Sequence, residues 1–237
     1  MAGLSAALHL APTHRVAVLT KRAMSDGSSA WAQGGMAAAL SPGDDPAYHS
    51  RDTIRAGAGL VDPDRAGLLA REAPLAVGYL ADLGAPFDRT PDGGFAQSLE
   101  AAHSHARVAR MGGDQAGQAI MGAVIQAVLG ASHITVWTGK RLTGLLQGPG
   151  SRISGVMVTE DGRETDVPAA AVILATGGIG GLYAVTTTPA GLVGDGLALA
   201  ALAGAGIADP EFVQFHPTAI DLGRDPANGC QAGAAGE

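Results

Sequence analysis

The 237 residues contain one cysteine, Cys230, which excludes an internal disulfide and fits a reducing cytoplasm. Aromatic residues are scarce, at 4% of the chain, although 46% is apolar and glycine fills 36 positions. A core with so few rings must be built from small and aliphatic side chains, which suits close helix–sheet packing and tight turns around a bound group. No apolar run approaches the roughly 20 residues needed to cross a bilayer. Basic residues are outnumbered, 15 Lys and Arg against 22 Asp and Glu, giving a formal charge of −7. Without a Lys/Arg cluster there is no electrostatic reason to expect nucleic acid as a partner. Residues 1–10 lack the basic start of a secretory signal, and Pro12 to Arg15 follow too soon for an apolar core and cleavage site.

The length allows one large α/β domain or two small ones. Residues 2–11 carry the pattern of a helix packed on a sheet, stopped by Pro12, and Val16-Ala17-Val18-Leu19-Thr20 suits a buried parallel strand. Residues 41–59 read as turn-rich. Asp62-Pro63-Asp64 opens a helix to about Leu83, with Asp64 as N-cap, Gly84 ending it and a kink at Pro74. A second helix spans 117–129, with Ile120, Met121, Val124, Ile125, Val128 and Leu129 on one face, a core stripe. Strands follow at 134–137, 153–159 and 164–167, the last two joined by a hairpin at Asp161-Gly162. Ala171-Val172-Ile173-Leu174-Ala175 reads as another buried strand, and 197–205 as a helix. Strands alternating with helices predict an α/β Rossmann-like parallel sheet with helices on both faces and a small inserted β-hairpin.

Several glycine-rich segments fall in an order that carries chemistry. Ser28-Ser29-Ala30-Trp31-Ala32-Gln33-Gly34-Gly35 is uncharged and ends in a Gly pair that lets main-chain N–H groups approach a ligand. Ala175-Thr176-Gly177-Gly178 closes an apolar run, and Gly194-Asp195-Gly196 leads into a helix whose N-terminus favours phosphate. Gly3 stands where the third glycine of a G-x-G-x-x-G fingerprint would be, and a helix-packing glycine explains it equally well. Asp195 has a comparable alternative as a plain N-cap.

Together these segments resemble the flavin cradle of the succinate dehydrogenase/fumarate reductase/L-aspartate oxidase flavoproteins. The resemblance implies FAD, with Gly3, Lys21, Ser28, Ser29, Gln33, Gly34, Gly35, Val136, Thr176, Gly177 and Asp195 as cofactor-binding residues. Lys21 would lie near the adenosine half, and the strand of Val136 would reach the adenine. Succinate dehydrogenases and many fumarate reductases place a flavin-linked histidine five residues before the Gln. Here that position is Ser28, so FAD should be held noncovalently, which favours the aspartate oxidase branch.

The segment Gln97-Ser98-Leu99-Glu100-Ala101-Ala102-His103-Ser104-His105-Ala106-Arg107 resembles that branch around its signature glutamate. Aspartate is succinate plus an α-ammonium, so a carboxylate at Glu100 gains a charge-assisted hydrogen bond from it. Phe215-His216-Pro217-Thr218 matches a further family motif, with His216 expected on a substrate carboxylate. Zinc at His103, His105 and His216 fits poorly, since no second cluster has ligand spacing. Gly112-Gly113-Asp114-Gln115-Ala116-Gly117 departs from the family pattern at Ala116, where a threonine is usual.

The implied reaction oxidises L-aspartate to iminoaspartate with reduction of FAD, which O2 or fumarate reoxidises, in the first step of NAD biosynthesis. Quinolinate synthase would act downstream. The resemblance covers about residues 2–227. It places the first strand before Met1, and puts the capping domain with its catalytic arginine beyond the last residue. Residues 1–209 then form a partial FAD-binding domain, and 210–237 begin the capping domain and end in an atypical tail. A polypeptide so bounded should bind FAD weakly and turn over negligibly.

Overall fold

The computed structural model describes residues 1–113 and 115–214. In chain order the elements are α1 (Ala2–Leu10), β1 (Val16–Thr20), β2 (Met36–Ala37), α2 (Pro46–Ala56), α3 (Pro63–Asp82), β3 (Gln97–Ser98), β4 (Val108–Ala109), α4 (Ala116–Gly130), β5 (Ile134–Thr138), β6 (Arg141–Gln147), β7 (Ile153–Glu160), β8 (Arg163–Pro168) and α5 (Asp195–Leu202). They fall into two units, one of Met1–Ser28 with the residues from Ala127 onward, the other of Ser29–Gln126.

In the first unit, β1 and β5 are parallel and in register from Val16↔Ile134 to Thr20↔Thr138. The crossing between them is long, as parallel pairing requires. Helix α1 buries Leu4 and Ala7. A Cβ at Gly3 would stand 3.1 Å from the Ala175 methyl, so this helix needs its small residue to pack against the apolar run at 171–175. That run is not a strand. No strand among the described residues supplies it with a ladder, and Ile173 and Leu174 are left exposed.

The expected hairpin is part of a three-stranded antiparallel sheet, β6-β7-β8. Its tight turn uses Asp161 and Gly162, at φ 49° and 78°, the doubly positive geometry that matches strand twist. Strand β6 carries a weaker alternation than its neighbours and was not anticipated. Its register shifts at Leu142/Gly144 and again at Leu146/Gln147, and such irregularities break the period-two pattern that reveals a strand.

The second unit is mainly helical. Residues 46–56, expected as turns, form α2. Asp45 caps it by accepting from the Ala47 N–H at 2.7 Å, with Pro46 at the first helical position. The same device starts α3, where the cap is Asp62 rather than Asp64: its Oδ1 accepts from the N–H groups of Asp64 and Arg65 at 2.9 and 3.2 Å. Helix α3 runs on through Pro74 to Asp82, and Gly84 turns the chain away at φ 93°. Ala66, Ala70, Val77 and Leu80 of α3 are buried, as are Ile120, Met121, Val124 and Val128 of α4. Ile125 is only half-buried and Leu129 is exposed, so the apolar stripe of α4 is narrower than its sequence suggests. The short strands β2-β4-β3 complete the unit as a small antiparallel sheet.

Candidate functional site

The first unit gathers several of the expected cofactor residues through direct contacts. Lys21 follows β1, and its Nζ donates to Asp195 Oδ2 at 2.7 Å. Arg141, opening β6, reaches Asp195 Oδ1 at 3.5 Å. The Lys21 hydrogen bond, opposed by partial burial and helped by Arg141, holds the Asp195 carboxyl below its usual range. Asp195 lies in the first turn of α5, whose N-cap Gly194 adopts a left-handed φ of 81°. A Cβ on Gly196 would fall within van der Waals overlap of the Thr176 hydroxyl, so the helix start is seated on Thr176. Gly177 turns at φ 77°, a conformation few side chains tolerate, and space beside Gly178 is open. Val136 is half-buried and pairs with Val18 in the parallel ladder. Thus the end of β1, the 175–178 turn and the start of α5 form one continuous surface of main-chain turns with a Lys/Asp/Arg charge cluster. Arg141 was not anticipated, because nothing in its spacing links it to Asp195, 54 residues away.

Ser28 begins a 3₁₀ turn that runs to Trp31. In the second unit, that loop meets the start of α4. The Gly117 N–H donates to the Ala32 carbonyl at 2.8 Å, and a Cβ at Gly117 would collide with the main chain of Ser29 and Ala32. The two glycines after Gln33 differ in kind. A Cβ on Gly35 would overlap the Ala109 carbonyl oxygen, whereas a Cβ on Gly34 would meet no atom within 4 Å among the described residues. Gly35 is therefore small because β4 demands it, whereas the space beside Gly34 is open among the described residues.

Glu100 sits on an exposed loop between β3 and β4, and its carboxylate has no hydrogen-bond or ion-pair partner among the described residues. Beneath this loop lies a buried charge lattice that sequence reasoning missed. Arg107 donates from Nε and Nη2 to the two oxygens of Asp44, at 3.0 and 2.8 Å, and from Nη1 to Asp52 Oδ2 at 2.7 Å. Its side chain is 0% exposed, and those of Asp44 and Asp52 are 1% and 10% exposed. Asp52 Oδ2 also accepts from the N–H and hydroxyl of Ser104, at 2.8 and 2.7 Å. Burial alone would raise the Asp52 carboxyl, but the Ser104 hydrogen bonds and the Arg107 guanidinium outweigh it and hold it far below the usual carboxylate range. Asp44 is lowered by the same contest between burial and Arg107. Arg107, doubly neutralised, is a structural cation with no charge left for a substrate carboxylate.

Three histidines surround the lattice. His105 stacks on Tyr48 with ring centroids 5.2 Å apart, and His103 meets His49 edge-on at 5.6 Å. Among the described residues His49 Nδ1 is buried without a hydrogen-bond partner, and burial, reinforced by repulsion from Arg107 and His103, lowers its pKa. No group of metal-ligating side chains occurs among the described residues. His216 lies outside the described residues, as does Asp114. No helix among the described residues is long and apolar enough to cross a membrane.

The arrangement fits a dinucleotide cofactor. Within the first unit it offers a main-chain turn at Gly177 with open space beside Gly178, a helix start at Gly194–Asp195 and a cation at Lys21, groups of the kind that suit phosphate and ribose. The FAD-binding domain family matches across residues 1–237. The chain is 61% identical over 230 residues to the L-aspartate oxidase of Caulobacter vibrioides, covering 96% of this chain and 45% of that protein. It is 45% identical over 226 residues to the L-aspartate oxidase of Mesorhizobium japonicum, covering 95% and 44%. Among solved structures, Mycobacterium smegmatis Sdh1 in complex with UQ1 superposes with a TM-score of 0.83 at 35% identity, over 89% of this chain and 38% of that one. The E. coli quinol fumarate reductase chain FrdA gives 0.86 at 26% identity, over 93% and 38%. The chain thus spans less than half the length of the curated relatives it matches.

Proposed function

The chain belongs to the FAD-binding domain family, and from that premise we propose that it is the cofactor- and substrate-holding portion of an L-aspartate oxidase. The single observation that carries the reading is Glu100, an unpaired carboxylate presented on a fixed loop, the group an α-ammonium needs and a plain dicarboxylate does not. Ser28 supports it as well, since a serine cannot form the covalent flavin link that a histidine provides there. When bound, FAD supplies the hydride acceptor for oxidation of aspartate to iminoaspartate, with O2 or fumarate as the final acceptor.

The chain's own residues bind and orient. Lys21 and the start of α5 hold the polar half of the cofactor, and the turn at Gly177 and Gly178 admits its rings to the main chain; Gly34, in the second unit, is a further cofactor residue that the family resemblance implies. Glu100 holds the substrate ammonium, and His216 receives one of its carboxylates. The product, an imine of a dicarboxylate, is hydrolytically labile and suits a downstream condensing enzyme such as quinolinate synthase.

A succinate dehydrogenase or fumarate reductase subunit is the second reading, favoured by the solved relatives. One experiment separates them. The purified chain is saturated with FAD, depleted of oxygen and mixed with L-aspartate or succinate while the visible flavin absorbance is followed. Bleaching by aspartate, slow because turnover is expected to be negligible, should still outpace bleaching by succinate. Bleaching by succinate alone overturns the assignment, and a chain that takes up no flavin is a non-catalytic remnant.

A further inference from the structure

The loop that carries Glu100 is held at both ends and strained in the middle. On its upstream side, the Gln97 side chain donates to the Ala38 carbonyl at 2.8 Å and accepts from the Ser41 hydroxyl at 2.5 Å. On its downstream side, Ser104 is bound twice to Asp52, which is itself bound to Arg107. Between them the His103 N–H closes a turn on the Glu100 carbonyl at 3.2 Å, and Ala102 is forced to φ 69°. A non-glycine residue pays for that conformation, at about 1 kcal/mol. Such strain persists only where the surroundings over-determine it, and here the surroundings are a fully buried Arg with two buried carboxylates.

A lattice of this kind is an expensive way to stabilise a fold, because desolvating three charges returns little net energy relative to apolar packing. It does fix geometry. We infer that Asp44, Asp52 and Arg107 are positioning residues that hold the 99–105 loop so that Glu100 is preorganised for the ammonium of an α-amino diacid, which makes them determinants of aspartate-over-succinate selectivity. The inference rests on the reading of Glu100 given above. Succinate has no group for Glu100 to meet, so loosening the loop weakens aspartate binding selectively. A role confined to stability would lower the affinity for both ligands alike.

The test measures binding of L-aspartate and of succinate to the FAD-saturated chain by calorimetry, alongside hydrogen exchange at the Ser104 amide. Glu100→Gln sets the scale. Losing a hydrogen bond between charged groups should cut the aspartate:succinate affinity ratio by about tenfold or more. Arg107→Lys places a point charge where a fork bridged two carboxylates, and should lower the ratio nearly as far while accelerating Ser104 exchange. Ala102→Gly guards against misfolding, because glycine adopts φ 69° freely. It should keep the chain folded, release the loop and lower the ratio about threefold. If Glu100→Gln lowers the ratio while Arg107→Lys and Ala102→Gly leave it intact, the positioning role is wrong and the reading of Glu100 stands. If Glu100→Gln leaves the ratio intact, or the unaltered chain binds neither ligand, both fall.

Discussion

Two ion networks among the described residues, one an Asp shared between two cations and the other an Arg shared between two carboxylates, are placed in opposite surroundings. Around Asp195 the partners are half-exposed, with Lys21 and Asp195 side chains at 34% and 23% exposure. Around Arg107 they are sealed from water. Exposed pairs are worth little and exchange partners readily, which suits a surface where an anionic ligand must compete for Lys21. Buried pairs are costly to break, which suits a scaffold that must not move. If the proposed function holds, the contrast separates residues that meet a ligand from residues that hold the ones that do.

Removing the buried cation gives the largest expected effect. Arg107→Ala leaves two carboxylates buried and unpaired and should cost about 3–5 kcal/mol of stability by chemical denaturation; a loss below about 1 kcal/mol would erase the distinction between the networks. Gly35→Ala comes next. Its Cβ would overlap the Ala109 carbonyl, main chain rather than a flexible tip, and should cost about 1–3 kcal/mol in the same assay.

Acid should act on the buried network in two steps. His49 has a folded-state pKa below that of the unfolded chain, so below about 6.5 the unfolded state binds the extra proton and stability falls as pH drops toward the folded value. Asp44 and Asp52 are lowered too; their contribution is present above about 4 and is lost as pH falls through their folded values. Thermal unfolding across that range should show both losses in the unaltered chain, and His49→Gln should remove only the upper one. Smallest of all, Lys21→Ala should change stability by less than about 1 kcal/mol, yet weaken FAD binding in a salt-sensitive manner when fluorescence is titrated at two ionic strengths.

Much of this architecture was legible in the sequence, and the exceptions have physical causes. The β1 and β5 runs, the amphipathic stripe of α4 and the Asp161-Gly162 turn follow from local period and turn chemistry. Helix α2 is short and polar, so its apolar period is faint, although the Asp45-Pro46 start was readable and matches the one at Asp62-Pro63. The 171–175 run is apolar enough for a buried strand, but a strand also requires a hydrogen-bonded neighbour, which no segment carries in its own sequence. At the site, glycines announce themselves, yet sequence does not tell Gly34 from Gly35; only the approach of Ala109 does. The Arg107 lattice was invisible for a related reason. Its partners lie 55 and 63 residues away, and no spacing rule links them.

The central claim is that main-chain turns hold FAD, and Gly34 tests it most directly because a Cβ there would meet nothing within 4 Å among the described residues. Fluorescence titration of FAD into the unaltered chain and into Gly34→Val should give saturable binding in the first and at least a tenfold weaker response, about 1.4 kcal/mol, in the second, with unchanged denaturation midpoints. Equal FAD affinity in the two proteins would contradict the account.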